Sequence, residues 1–165
     1  MSEELKEQKG TDSSTQVAQE EKPFSMTTEE IKAKYKKPFV HLHVHSEYSL
    51  LDGAARITKG HDSPLLDTCV AKGMPGCALT DHGNMFGAYT FYKAANKRNL
   101  RPICGCEFYV CNDMHSRTTK ERFHLVLLAK TTKGYRNLVK IDSLAYTEGL
   151  YYKPRIDIEL LKQHT

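Results

Sequence analysis

His41, His43 and His45 alternate along Phe39-Val40-His41-Leu42-His43-Val44-His45. On an extended strand this spacing puts three imidazoles on one face and Val40, Leu42 and Val44 on the other. Neutral imidazole is the commonest protein metal ligand and suits zinc, manganese and iron. A pair at i and i+2 can grip one ion or two neighbouring ions. One histidine here would read as an ordinary polar strand residue; three in register, followed by Asp52, read as a metal site. Similar groups recur along the chain. Asp81-His82-Gly83 follows Cys77-Ala78-Leu79, Glu107 sits within Ile103 to Val110, and His124 opens His124-Leu125-Val126-Leu127-Leu128-Ala129. Asp81 also suits a helix cap, and His124 a hydrogen-bonded core position. Glu107, among Ile103, Phe108 and Val110, is expected to be buried, and a buried carboxylate needs a partner.

These groups need elements to position them. Strand-like runs cover 39–45, 77–81, 102–110 and 123–129, and helix-like stretches lie near 63–72, 85–99 and 132–146. That alternation predicts an α/β fold of parallel β/α units. Such folds assemble a site from one or two residues per strand. Parity on 102–110 places Glu107 with Ile103, Gly105 and Tyr109. Cys104, Cys106 and Phe108 face the other way, which suits small buried thiols under helices rather than a C-x-C zinc site. Five cysteines with no C-x-x-C pair predict free thiols in a reducing compartment.

Taken together, the stretches resemble a known family. His41-Leu42-His43-Val44-His45-Ser46-Glu47-Tyr48-Ser49-Leu50-Leu51-Asp52-Gly53 is similar to the first motif of the PHP (polymerase and histidinol phosphatase) domain, in the form found at the N-terminus of bacterial DNA polymerase III α subunits. Thr80 to Gly87 resembles the second motif, and Arg101 to Val110 the third. The run from His124 through Gly134-Tyr135-Arg136-Asn137-Leu138 to Gly149-Leu150-Tyr151-Tyr152-Lys153-Pro154-Arg155 follows the same pattern. The resemblance implies a distorted TIM-like barrel of seven β/α units. It implies a divalent metal cluster, zinc or manganese, held by His43, His45, Asp52, His82, Glu107 and His124. Asp81 and His41 are neighbours of the cluster, Asp81 orienting imidazoles or waters. His124 sits at the start of its run, whereas barrel sites use strand C-terminal ends; its strand is distorted or entered unusually, or it begins elsewhere.

The implied chemistry is metal-dependent phosphoester hydrolysis, here a 3′→5′ exonuclease acting on a primer end. The polypeptide would synthesise DNA on a primer-template, with magnesium at a separate polymerase site. A sliding clamp and clamp loader would engage other parts of it. A free-standing phosphatase of the histidinol-phosphatase kind and a non-catalytic, metal-stabilised module are the alternatives. Residues 38–165 amount to about half of a barrel of roughly 250 residues, so the expectation is an N-terminal fragment. Its last strand would be unpaired, an edge that invites association. Expressed alone, it is expected to fold poorly and to be inactive.

Residues 1–37 read as an extension. Met1 to Glu21 has almost no large apolar residue, a composition that predicts disorder. Thr27-x-x-Glu30 fits a capping box before a short helix. The extension carries seven lysines against eight acids, leaving +5 on the body. That suits a nucleic-acid partner and is also ordinary for a soluble domain. No apolar run approaches the roughly 20 residues of a membrane span. With no secretory signal either, the expected location is cytoplasmic.

Overall fold

The computed structural model describes residues 23–35 and 38–164. The disorder expected for Met1 to Glu21 falls outside them. Helix α1 (Thr28–Lys34) begins at the anticipated capping box: Thr27 Oγ1 accepts from Glu30 N at 3.2 Å, and Thr27 N donates to Glu30 Oε2 at 2.6 Å. The segment before it touches the body, with Phe24 N donating to Asn96 Oδ1 at 3.0 Å. Then follow α2 (Pro64–Ala71), β1 (Gly76–Leu79), α3 (Ala88–Lys97), β2 (Arg101–Val110), β3 (Phe123–Leu128), α4 (Thr132–Thr147), β4 (Arg155–Ile156) and α5 (Ile158–Lys162).

The long strand β2 is the spine of a mixed four-stranded sheet. Its first half pairs in parallel with β1, from Gly76↔Arg101 to Leu79↔Cys104. Its second half pairs antiparallel with β3, from Gly105↔Leu128 to Val110↔Phe123. Strand β4 pairs in parallel at Tyr109 and Val110. Two apolar clusters lie side by side on the face of the sheet that carries Cys104, Cys106 and Phe108, opposite Glu107. One joins Leu66, Leu79, Phe91 and Leu100, and the other joins Cys106, Phe108, Leu138, Ile141 and Ile156. Phe91 and Phe108 are fully buried, each worth about 1.5–3 kcal/mol of transfer free energy. As strand parity predicted, Cys106 lies in the core with Phe108, Cys104 packs half-buried against the other cluster, and all five cysteines are free.

Two expectations are corrected. Residues 39–45 form no regular strand. And β3 runs antiparallel to β2 rather than closing a parallel β/α unit. The connection fits the reversal: residues 111–122 hold no helix to carry the chain back across the sheet, and a parallel crossover usually uses one. Their course is fixed instead by Arg155, whose side chain is fully buried. Its guanidinium donates to the carbonyls of Met114 (3.2 Å), Ser116 (2.5 Å), Thr119 (3.2 Å) and Gly149 (3.3 Å). Strand β4 and helix α5 were not anticipated. Two and five residues are too short to show a period, although Asp157 caps α5 by accepting from Leu160 N at 2.9 Å.

Candidate metal centre

The segment bearing the first three histidines lies against β1 with an irregular register. Ala78 N donates to His41 O at 2.8 Å and Thr80 N to Val44 O at 2.9 Å. Three residues on one side thus span two on the other, the count of a β-bulge, and the chain bends at Leu42. Thr80 secures the far end, its hydroxyl accepting from Val44 N at 2.8 Å. The bend breaks the parity of the three histidines. His41 is exposed and meets Phe39 edge-on, at 4.8 Å between ring centroids. His43 and His45 converge instead, with their Nε2 atoms 3.1 Å apart and each 2.6 Å from Glu107 Oε2.

The turn after His45 is built around Asp81, which is 1% exposed. Asp81 Oδ1 accepts from Ser46 N at 2.6 Å and from Ser49 Oγ at 2.7 Å; Oδ2 accepts from Ser46 Oγ at 2.8 Å. Ser49 Oγ also accepts from His82 N at 3.1 Å. Asp81 therefore caps no helix. It folds the turn that delivers Asp52 to His82, where Nε2 donates to Asp52 Oδ2 at 2.8 Å. This bond, with His45 adding to it, holds the Asp52 carboxyl below the usual carboxylate range. Gly53 closes the turn at a point where any Cβ would collide with the Ser46 carbonyl.

Glu107 lies at the centre, its side chain only 4% exposed. Strand parity directs it away from Cys106 and Phe108. A parallel bridge from His82 anchors its backbone, with Glu107 N donating to Asp81 O at 3.0 Å and Gly83 N to Glu107 O at 2.9 Å. Its Oε1 meets His124 Nδ1 at 2.5 Å. Burial alone would raise its pKa, but hydrogen bonds from His43 and His45 and the charge of His82 lower it to about 2. His124 reaches the site because β3 is antiparallel: Tyr109↔His124 puts the start of β3 beside the C-terminal end of β2. The strand is entered from the site end, which removes the apparent conflict with its place in the sequence.

The six side chains form three overlapping groups: His43, His45 and Glu107; His45, Asp52 and His82; His82, Glu107 and His124. Within each, the potential ligand atoms lie within 4.8 Å of one another. The donor set is nitrogen and oxygen of borderline hardness, which suits zinc, manganese or iron. Two further observations fit a cation here. His43 and His45 aim two ring nitrogens at one carboxylate oxygen, a convergence that needs a proton or a metal between the lone pairs. And His82 Nδ1 is buried without a hydrogen-bond partner, 3.6 Å from Glu107 Oε2. Ser46, Ser49 and Tyr109 escaped the sequence reading as site residues. Tyr109 stacks on His82, with ring centroids 6.0 Å apart and planes 6° from parallel. Its parity with Glu107 was the available signal. The bent geometry yields a direct contrast: His41→Gln should retain the metal, whereas His45→Gln should lose at least one ion. Equal losses by elemental analysis would show that His41 also binds.

The sequence profile of the PHP domain covers residues 41–165. The chain belongs to the PHP domain family. It is similar to proteins named DNA polymerase III subunit alpha, at 49% identity over 134 residues in Helicobacter pylori strain 26695, 50% over 131 in Treponema pallidum and 43% over 138 in Aquifex aeolicus. The alignments cover 80%, 76% and 78% of this chain. They cover 11%, 11% and 12% of those relatives, so the chain spans about a ninth of their length. A solved structure of a Bifidobacterium adolescentis protein aligns over 67% of this chain and 36% of its own, at 15% identity and a TM-score of 0.41.

Proposed function

We propose that His43, His45, Asp52, His82, Glu107 and His124 hold a cluster of divalent ions, zinc or manganese, and that this centre hydrolyses phosphodiesters as a 3′→5′ exonuclease. The observation that carries the reading is the convergence of His43, His45 and His124 on the two oxygens of Glu107, at 2.5–2.6 Å. When bound, divalent ions supply Lewis acidity toward a phosphoester oxygen and lower the pKa of water. The protein's own part is positional. Glu107 spans the site with both oxygens, Asp52 and His82 close one side, and Asp81 keeps them in register through Ser46 and Ser49. In the reaction, water adds to the phosphorus of the terminal linkage and the bond to the penultimate O3′ breaks. That oxygen takes up a proton, and a nucleoside 5′-monophosphate leaves.

The relatives' names favour a polypeptide of the DNA polymerase III α kind over a free-standing phosphatase. On this reading, DNA synthesis on a primer-template, its magnesium, and the clamp and clamp-loader contacts belong to other parts of that polypeptide. The described residues are then one part of a larger PHP barrel, with β3, where Leu128 is exposed, as a surface the barrel continues from. Among the described residues no helix is long and apolar enough to cross a membrane, in keeping with a cytoplasmic replication protein. The test is made on the polypeptide as its genome encodes it. His43→Ala with His45→Ala should remove most bound zinc or manganese and lower 3′-end hydrolysis at least a hundredfold. Unchanged metal content would refute the centre. Full metal with no hydrolysis in the unmodified protein would refute the exonuclease and leave a structural centre.

A further inference from the structure

The segment ahead of α1 lies along α3 as an extended chain. Phe24 and Met26 are half-buried while Pro23 and Ser25 are exposed, the alternation of a strand-like segment with one side down. Phe24 N donates to Asn96 Oδ1 at 3.0 Å, and Asn99 Nδ2 donates to Met26 Sδ at 3.8 Å. The segment therefore runs antiparallel to α3, and each step back from Met26 carries it toward the start of that helix. Tyr92 and Tyr89 continue the stripe of Asn96 at helical spacing, and they are 42% and 69% exposed. Here the stripe opens into a cavity of about 530 Å³ lined by Tyr89, Tyr92, Tyr135, Cys104, Lys130 and Thr132. Tyr92 and Pro102 are shared with the smaller cavity that Pro23 and Phe24 border. No carboxylate lines either one, whereas Arg101 lines the first and Lys130 the second. Cys104 faces away from Glu107, so this cavity lies across the sheet from the metal centre and the hydrolytic reading plays no part in it.

Length and charge select the occupant. A helix rises about 1.5 Å per residue, so Asn96 and Tyr89 are about 10 Å apart along α3. An extended chain covers that in about three residues at roughly 3.3 Å each, which carries the chain from Phe24 back to Glu21. Glu20 and Glu21 are adjacent acids, and carboxylates are favoured beside a lysine and near the positive end of a helix. We propose that the cavity seats the residues that precede Pro23, with Glu20 and Glu21 facing Lys130 and the start of α4 and their backbone laid across Tyr89 and Tyr92. Tyrosine suits this contact, because its ring packs against the chain while its hydroxyl bonds a peptide group. The chain's own segment takes precedence over a separate peptide, since the segment already bound to α3 leads into the cavity in the right direction and a separate peptide would have to pass Pro23 to enter.

Cys104 reports the occupancy, because it is half-buried whereas Cys69, Cys77, Cys106 and Cys111 are buried. The test uses the full encoded polypeptide and alkylation by iodoacetamide, followed by mass spectrometry on the peptide that contains Cys104. Deleting residues 2–22 should speed that alkylation at least fivefold. Glu20→Lys with Glu21→Lys should give most of the same increase, as should about 1 M sodium chloride, which screens exposed charge pairs. The protection should be the same over a tenfold range of protein concentration. In a second measurement, Gln19→p-benzoylphenylalanine should cross-link on irradiation to a peptide containing Tyr89 or Tyr135. Equal alkylation rates with and without residues 2–22 would overturn the proposal, by leaving the cavity open or covered by another part of the polypeptide. Protection that grows with protein concentration would also overturn it, in favour of a second copy. Protection that survives the charge reversal would refute the contact of Glu20 and Glu21 with Lys130.

Discussion

Glu107→Gln is expected to lose more than nine-tenths of the metal that the proposed centre would hold, and with it the proposed hydrolysis. Glutamine keeps the shape and one carbonyl oxygen. It brings an amide N–H₂ to a point where His43 and His45, or His124, now meet a carboxylate oxygen at 2.5–2.6 Å, and it removes the negative charge that offsets bound cations. Glu107 is buried, so solvent cannot substitute for either oxygen. Elemental analysis of the purified variant decides the matter; metal content above half that of the unmodified protein would refute a central role for Glu107. The metal-free protein offers a second measurement. The pKa of Glu107 falls from 4.5 to about 2 in the folded state. A carboxyl depressed in this way contributes stability that is fully present above its unfolded pKa and is lost as pH falls toward the folded value. The apoprotein should therefore destabilise between about pH 4.5 and pH 2 with a contribution that Glu107→Gln removes. Identical acid-unfolding profiles for the two proteins would show that the imidazoles do not hold the carboxylate charged.

The chemistry was more legible in the sequence than the backbone that delivers it. Strand parity alone put Glu107 on one face and Cys106 and Phe108 on the other, because the alternation of β2 is unbroken from Arg101 to Val110. Parity failed at His41 because an inserted residue is invisible in a string of alternating histidines. Only the bonds from Ala78 and Thr80 reveal the bulge. His124 lies beside Glu107, a contact its place at the start of its run did not suggest, because strand direction is set by the connection. A loop held by Arg155 through carbonyl contacts leaves no periodic mark in residues 111–122. Asp81 is the reverse case. Its type suggested a helix cap or an orienting role beside His82, yet its partners, Ser46 and Ser49, are 35 and 32 positions away. Local spacing gives no hint of a turn folded around a distant carboxylate.

That turn sets the second large expectation, the loss of stability in Asp81→Ala. Asp81 accepts three hydrogen bonds at 2.6–2.8 Å from Ser46 N, Ser46 Oγ and Ser49 Oγ, all buried. A hydrogen bond to a charged group contributes about 1.5–3 kcal/mol, and a buried donor left unpaired costs about 1–3 kcal/mol. The three are not additive, since they share one acceptor group. The expected destabilisation is about 3–5 kcal/mol, measured by urea unfolding of the transition that contains this domain. Ser49→Ala should cost about 1–2 kcal/mol in the native background and less once Asp81 is alanine, because only the bond from His82 N then remains to be lost. The functional consequence should be uneven. His43 and His45 are held by the bonds of Val44 to Thr80, and Glu107 by its bonds along β2. Asp52 depends on the turn. Asp81→Ala should therefore release the ion between His45, Asp52 and His82 before the one between His43, His45 and Glu107. Simultaneous loss of all metal on titration with a chelator would show that the turn supports the whole centre rather than one side of it.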